Sequence, residues 1–534
     1  MPYAAPRYAS PPPAAGHHPA VIAGGGLVGL TLALDLARRG VASVLLDDDD
    51  TVSSGSRAIC MAKRSLEIFG RLGLGGRMLD KGITWNTGRV FLRDRELFSF
   101  DLLPEDGHEY PAFINLQQYY VEQWLVEACQ ATGLVDLRWK HAVTGVHSRG
   151  DGAAVDVSAP GGAYRLTADW LLACDGARSQ VRRALDLPFT GKTFRDRFLI
   201  ADVVMQAPFP TERWFWFDPP FHPNQSALLH KQPDDVWRID LQLGWDADPV
   251  EEVKPGRVIA RVQAMLGPEA RFELEWVSLY TFRCRRLERF VHDRVVFVGD
   301  SAHQVSPFGA RGGNGGVQDA DNLGWKLAAV IEGRAPASLV RSYNAERVAA
   351  ADENILHSTR ATDFITPKSL AARAYRDAAL QLAERHAFAR PFVNSGRLSR
   401  PCVVPVAPGD TDHWDGAPAI GSVAADAPVL CGGRADWLLR ILGEGGGGGG
   451  FVVLAFGGPK PVLRGAAIVH VAPDGLQDVA GLVAKRYAAP EGACVLIRPD
   501  QHVAALFRRF DAARIEAAIR HALGHAAPAM ADAL

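Results

Sequence analysis

RVVFVGDSAHQVSPFGARGGNGGVQDADNLGWKL, residues 294–327, decides the fold. Val295–Val298 reads as a short buried strand that runs into Gly299-Asp300, and a helical pattern begins at about Val317. The loop between them carries Gly309, Gly312, Gly313, Gly315 and Gly316. Glycines let backbone N–H groups approach a flat or anionic ligand, and the helix behind them presents a partly positive N-terminus. Asp300, at the strand end, is placed to accept hydrogen bonds from the hydroxyls of a sugar-like chain. A plain Gly-rich turn explains the glycines but not the acid or the ordered sequence after it.

Working outward, VIAGGGLVGLTLALDLARRGVASVLLD (residues 21–47) repeats the strand–turn–helix logic. Gly24, Gly26 and Gly29 form a G-x-G-x-x-G turn into a helix, and a second strand, Ser43–Leu46, ends at Asp47, where an acid should meet a ribose hydroxyl. A third strand–turn lies in DWLLACDGARSQVRR (residues 169–183), where Leu171–Cys174 leads into Asp175-Gly176.

In this order the three segments resemble the class A FAD-dependent aromatic hydroxylases, in particular the phenol hydroxylase and 3-(3-hydroxyphenyl)propionate hydroxylase branch. The resemblance implies non-covalent FAD, with Gly299-Asp300 on the ribityl chain and Pro307 near the reactive flavin edge. The backbone of Gly312, Gly313 and Asn314 would face the N1–C2=O end of the ring system. Arg57 and Gln118 match further positions that touch FAD. It also implies a C4a-hydroperoxyflavin formed with O₂, NADH or NADPH as electron donor without a Rossmann unit of its own, and a homodimer. Two positions depart from the pattern. Ile59 stands where phenol hydroxylases carry an acid, and Ser278 where an Arg often precedes the Tyr at 280. His230 and Tyr280 are therefore candidates for assisting substrate ionisation. An alkene- or quinone-reducing flavoenzyme would share the same motifs, and a polycyclic or heteroaromatic substrate is the alternative to a simple phenol.

Composition narrows the class. A chain of 534 residues is long enough for about three domains. Net charge −2 implies no basic face for nucleic acid. Seven scattered Cys, with no C-x-x-C and no metal-ligand spacing, fit a reducing cytoplasm, no disulfide framework and no metal. The apolar stretch 20–37 is broken by glycines and is not a membrane span. Residues 1–19, rich in Pro and Ala, read as a disordered tail.

The expected architecture is α/β: a Rossmann-like FAD-binding domain from discontinuous pieces (20–85, 110–200, 285–365), with an inserted antiparallel substrate domain (86–109, 201–284). Alternating runs such as ERWFWFD and WRIDLQLGW predict that sheet, with Trp214, Trp216, His230, Gln242 and Tyr280 as candidates for its cavity face. A helical linker follows (366–400). Residues 401–534, with Ile497-Arg498-Pro499-Asp500, resemble the thioredoxin-like domain appended to this branch, without its C-x-x-C.

Overall fold

The computed structural model describes residues 3–55, 58–393, 398–406, 409–445 and 450–525. Its central sheet is parallel where the sequence is continuously apolar. Strand Gly16–Ala23 lies between Gly162–Ala173 and Ser43–Asp47, flanked by Val295–Phe297 on one side and Val135–Trp139 on the other. Such strands are covered on both faces, which their apolar runs require. The hairpin Ala142–Arg149/Gly152–Ala159 extends the sheet antiparallel from Gly162–Ala173. Helices Gln118–Thr132 and Gly312–Ile331 pack against helix Leu27–Arg38.

Two expectations at this end need correction. The chain before residue 20 is ordered from Tyr3. Tyr3 stacks on Tyr119 with ring centroids 4.0 Å apart, Tyr8 stacks on Trp139 at 4.6 Å, and Gly16 already pairs with Leu166 in the sheet. Average composition hid two aromatic anchors whose apolar area suffices to seat a Pro-rich segment. The second helix also begins earlier than its pattern suggests, at Gly312. Its first turns contain four glycines, poor helix formers. Tertiary packing overrides that preference: a Cβ on Gly316 would fall 2.5 Å from a methyl of Val28.

The second sheet has eight strands in the order His303–Gln304, Glu273–Arg286, Thr190–Val204, Val236–Leu243, Ser226–Lys231, Arg213–Phe217, Thr87–Leu92, Arg95–Asp101. Residues 86–109 enter it through a parallel pairing of Thr87–Leu92 with Arg213–Phe217. The boundary expected at 200/201 falls inside strand Thr190–Val204, because the chain crosses between domains in one extended run. One face of this sheet is sealed by helix Pro255–Leu266, whose Val258 and Val262 join Trp216, Trp237 and Leu229 in a core. The segment read as a linker is a wall instead. Leu380, Ala383 and Ala389 pack with Phe198, Phe282 and Phe308 on the opposite face.

The C-terminal sheet runs Ala467–Val471, Val452–Phe456, Cys494–Ile497, Val503–Phe507, with the first pair parallel and the rest antiparallel, followed by helix Ala512–Ala522. Residues 457–466, between the two parallel strands, contain no helix. Buried charges join this domain to helix Gly312–Ile331. Arg498 pairs with Glu346 at 2.9 Å and with Asp500, Asn322 donates to both carboxylates, and Arg64 bridges Asp321 (3.0 Å) to the backbone oxygen of Asp500 (2.7 Å).

Candidate active site

The glycine turn is shaped by contact. Gly24 has φ +104°, and a Cβ there would sit 2.5 Å from the carbonyl oxygen of Cys174. On Gly29 it would lie 2.0 Å from the carbonyl oxygen of Gly24. Helix and strand can therefore meet only without side chains, and the helix N-terminus opens toward the sheet end. Gly26 caps this helix. The N–H of Gly25 donates to Asp47 (2.5 Å), and burial pushes that carboxyl up to about 6. Glu122, which the sequence reading missed, accepts from the N–H groups of Leu27 (2.9 Å) and Ser53 (2.7 Å) and from Gln118 (2.7 Å). Its only signal was the spacing of four from Gln118. Gln118 itself accepts from the N–H of Ala58 (3.0 Å), while Arg57 lies outside the described residues.

At the Asp175-Gly176 turn Gly176 has φ +71°, and one carboxylate oxygen of Asp175 accepts from Val181. The other is buried with no partner. Arg182 ties this turn to the next, donating to the carbonyl oxygens of Ala177 and Ser301, each at 3.1 Å. Gly299 (φ +65°) opens the short turn that carries Asp300, and its N–H donates to Asp319 (3.0 Å). Asp319 also binds His303 and Arg347, each at 2.6 Å. Burial raises its carboxyl, but these two partners outweigh burial and hold it below the usual value. Ser301 donates to the carbonyl oxygen of Ala173 in the neighbouring strand.

Asn314 spends its whole side chain on structure. It accepts from the N–H of Ala62 and from Ser65, and donates to the carbonyl oxygens of Cys60 and Ala310. The backbone N–H groups of Gly312, Gly313 and Asn314 are in the first helical turn, where no intrahelical acceptor exists. FAD fits this cradle on two observations: three glycine-lined backbone edges converge on it, and the unpartnered oxygen of Asp175 lies in it.

Beside the cradle is a cavity of about 610 Å³. Arg213, Phe215 and Phe217 line it from the sheet, Phe308 from the loop after exposed Pro307, and Phe364, Tyr375 and Phe392 from the helices beyond. Trp214 and Trp216, expected here, point the other way. Both rings lie with Phe91 in the core under helix Pro255–Leu266. The strand's alternation was right, but its parity relative to the cavity was not readable without the partner strands. Gln242 and Tyr280 share the cavity-side row with Phe217, yet neither lines the cavity. Gln242 is held by Ser226 and Asp196, and Tyr280 is 43% exposed beside Phe282. His230 is buried, its nearest carboxylate that of Asp240 at 4.0 Å. Burial, aided by Arg213 and Arg238, pushes its imidazole well below its ordinary value, so it is neutral. Among the described residues no helix is long and apolar enough to cross a membrane, and no three His, Cys, Asp or Glu could hold a metal.

Residues 17–358 match the family described as FAD binding domain. The chain is 30% identical over 504 residues to a flavin-dependent monooxygenase of Mycobacteroides abscessus, covering 90% of this chain and 96% of that one. It is 31% identical over 531 residues to 6-methylpretetramide 4-monooxygenase of Streptomyces rimosus (93% and 92%). Among solved structures, the flavin-dependent monooxygenase PieE, in complex with FAD and substrate, superposes with TM-score 0.80 at 23% identity, covering 96% of this chain and 99% of that one.

Proposed function

The chain belongs to the class A FAD-dependent aromatic hydroxylases, and from that premise we propose that it hydroxylates a fused-ring phenol, using O₂ and NADH or NADPH. The observation that carries the substrate class is the cavity. About 610 Å³ walled by Phe215, Phe217, Phe308, Phe364 and Phe392 suits a ligand much larger than one ring, since pockets of 300–1,000 Å³ bury drug-sized molecules. The S. rimosus relative, named for action on 6-methylpretetramide and aligned over nearly its whole length, supports a larger substrate than the hydroxyphenyl acids of the branch.

When bound, FAD supplies the redox chemistry that activates O₂ and delivers one oxygen atom to the ring. The protein's share is position and electrostatics. Gly24, Gly26, Gly29 and Asp47 would hold the dinucleotide end, Asp175, Gly176, Gly299 and Asp300 its middle, and the N–H groups of Gly312, Gly313 and Asn314 the ring edge that becomes anionic on reduction. Phe308, next to Pro307, lines the cavity, and the aromatic wall would exclude the water that would divert oxygen to H₂O₂.

The test is incubation of the FAD-loaded enzyme with NAD(P)H, isotopically labelled O₂ and a series of phenols from one to four fused rings. The expected outcome is label in a product of the larger members, ortho to the existing hydroxyl. Reduction of an alkene or quinone with no label gained would replace this reading by the reductase.

A further inference from the structure

The residues of the substrate sheet that face the cavity can be read as rows across its strands. Phe215 pairs with Leu228, Leu228 with Asp240, Asp240 with Ile200, and Ile200 with Ser278. Paired residues share a face, and Phe215 lines the cavity, so the whole row is on the cavity side. Asp240 is its one ionisable member. The row ends at Ser278. The next row supplies the surrounding charge: His230 pairs with Arg238, Arg238 with Asp202, and one position along the same register Arg213 faces His230.

Asp240 is held but not satisfied. One of its oxygens is buried with no hydrogen-bond partner, and the nearest cation-forming group, His230, is 4.0 Å away with its own Nδ1 unpartnered. Arg238, the natural counter-ion, is committed to Asp202 through two bonds of 2.8 and 2.9 Å. Arg213, at the cavity wall, has no hydrogen bond or ion pair among the described residues. A carboxylate and a guanidinium thus share one sheet face: Arg213 lines the cavity, and Asp240 is two strands further along the same face, in the row of the lining residue Phe215. Cys60, whose carbonyl oxygen accepts from Asn314, donates to Asn115 (3.2 Å), and Asn115 donates to the carbonyl oxygen of Lys231 beside His230 (2.7 Å), which ties this end of the sheet to the strand next to the cradle.

We propose that Asp240 is the catalytic residue that takes the proton from the substrate's ring hydroxyl, with Arg213 facing the phenolate formed. This rests on the reading of the cavity as a phenol site. In the step, the phenolic O–H bond breaks, the proton goes to a carboxylate oxygen of Asp240, and the electron pair stays on the ring oxygen. Hydroxylation at the adjacent carbon then forms a C–O bond and breaks the C–H bond there, the ring hydrogen leaving as a proton; the O₂ and NAD(P)H named above are the oxidant and the reductant. Burial, opposed by Arg238 and Arg213, places the Asp240 carboxyl at about 6, close to working pH, where a general base is most effective. His230, neutral beneath it, is a positioning residue.

The test is binding of 2-naphthol and its methyl ether, 2-methoxynaphthalene, to the FAD-loaded enzyme, followed by flavin fluorescence across pH. A hydrogen bond to an ionised acceptor is worth roughly tenfold or more in affinity. Above pH about 6 the wild type should prefer the naphthol by at least that factor, and the preference should vanish as pH falls through about 6 and Asp240 is protonated. Asp240→Asn, which keeps shape and flavin, should show a small preference that no longer depends on pH. His230→Gln should move the midpoint and retain the preference. A pH-independent preference in the wild type, or an unchanged profile in Asp240→Asn, overturns the proposal. So does a profile lost in Tyr280→Phe alone, which makes Tyr280 the acceptor. Failure of both compounds to bind at all overturns the cavity reading itself, a separate result.

Discussion

The cradle and the substrate roof face each other across the same site but are specified differently. The cradle is a backbone object. Gly24, Gly29, Gly299 and Gly316 stand where a Cβ collides or φ is positive, so the shape of the cradle is set by main chain. The roof is a side-chain object in which every second residue of Arg213–Phe217 faces the cavity and the others face a sealed core. A backbone requirement leaves its mark at fixed positions in the sequence. A side-chain requirement leaves only an alternation, which two opposite parities satisfy equally well.

The sharpest break of the cradle is Gly29→Val. Its side chain would have to enter space held by the carbonyl of Gly24, and overpacking against backbone costs upward of about 3 kcal/mol. The expected product is colourless after gel filtration, with a lowered melting temperature. Gly76→Ala, in helix Gly75–Lys81, is the control, because its Cβ meets nothing within 4 Å and should leave flavin content intact. A yellow, wild-type-like Gly29→Val would remove the backbone argument.

Next in size is Arg498→Met, which asks whether the cradle stands alone. Glu346 and Asp500 would lose their shared buried cation, a loss of about 3–5 kcal/mol. Burial raises the Glu346 carboxyl, but Arg498 and Lys326 outweigh it and hold it at about 2. A depressed carboxyl stabilises above its ordinary value and loses that contribution as pH falls toward about 2. Urea unfolding of the wild type should therefore weaken steeply on the acid side, and that slope should flatten in the variant. Equal slopes would show that the C-terminal domain does not brace the helix.

The smallest effect tests parity. Phe215→Leu should weaken 2-naphthol binding several-fold with melting temperature unchanged, and Trp216→Phe should do the reverse, each within about 1.5 kcal/mol. If Trp216→Phe alters binding and Phe215→Leu does not, the two faces have been assigned backward.

The sequence by itself determined the three turns, their order, the acids at their strand ends and the absence of a thiol pair, because tight turns and close backbone approach admit few residue types. The tertiary structure decided what depends on partners far along the chain. It put Phe215 rather than Trp216 in the cavity and turned residues 370–393 from a connector into a wall. It set Glu122 against a helix N-terminus 95 residues away, joined Arg64 to Asp500, and aligned Asp240 with Phe215 and Ser278 in one row. An acid on a half-buried strand looks the same in sequence whether it faces water, a core or a substrate. Only the register of its neighbours fixes which.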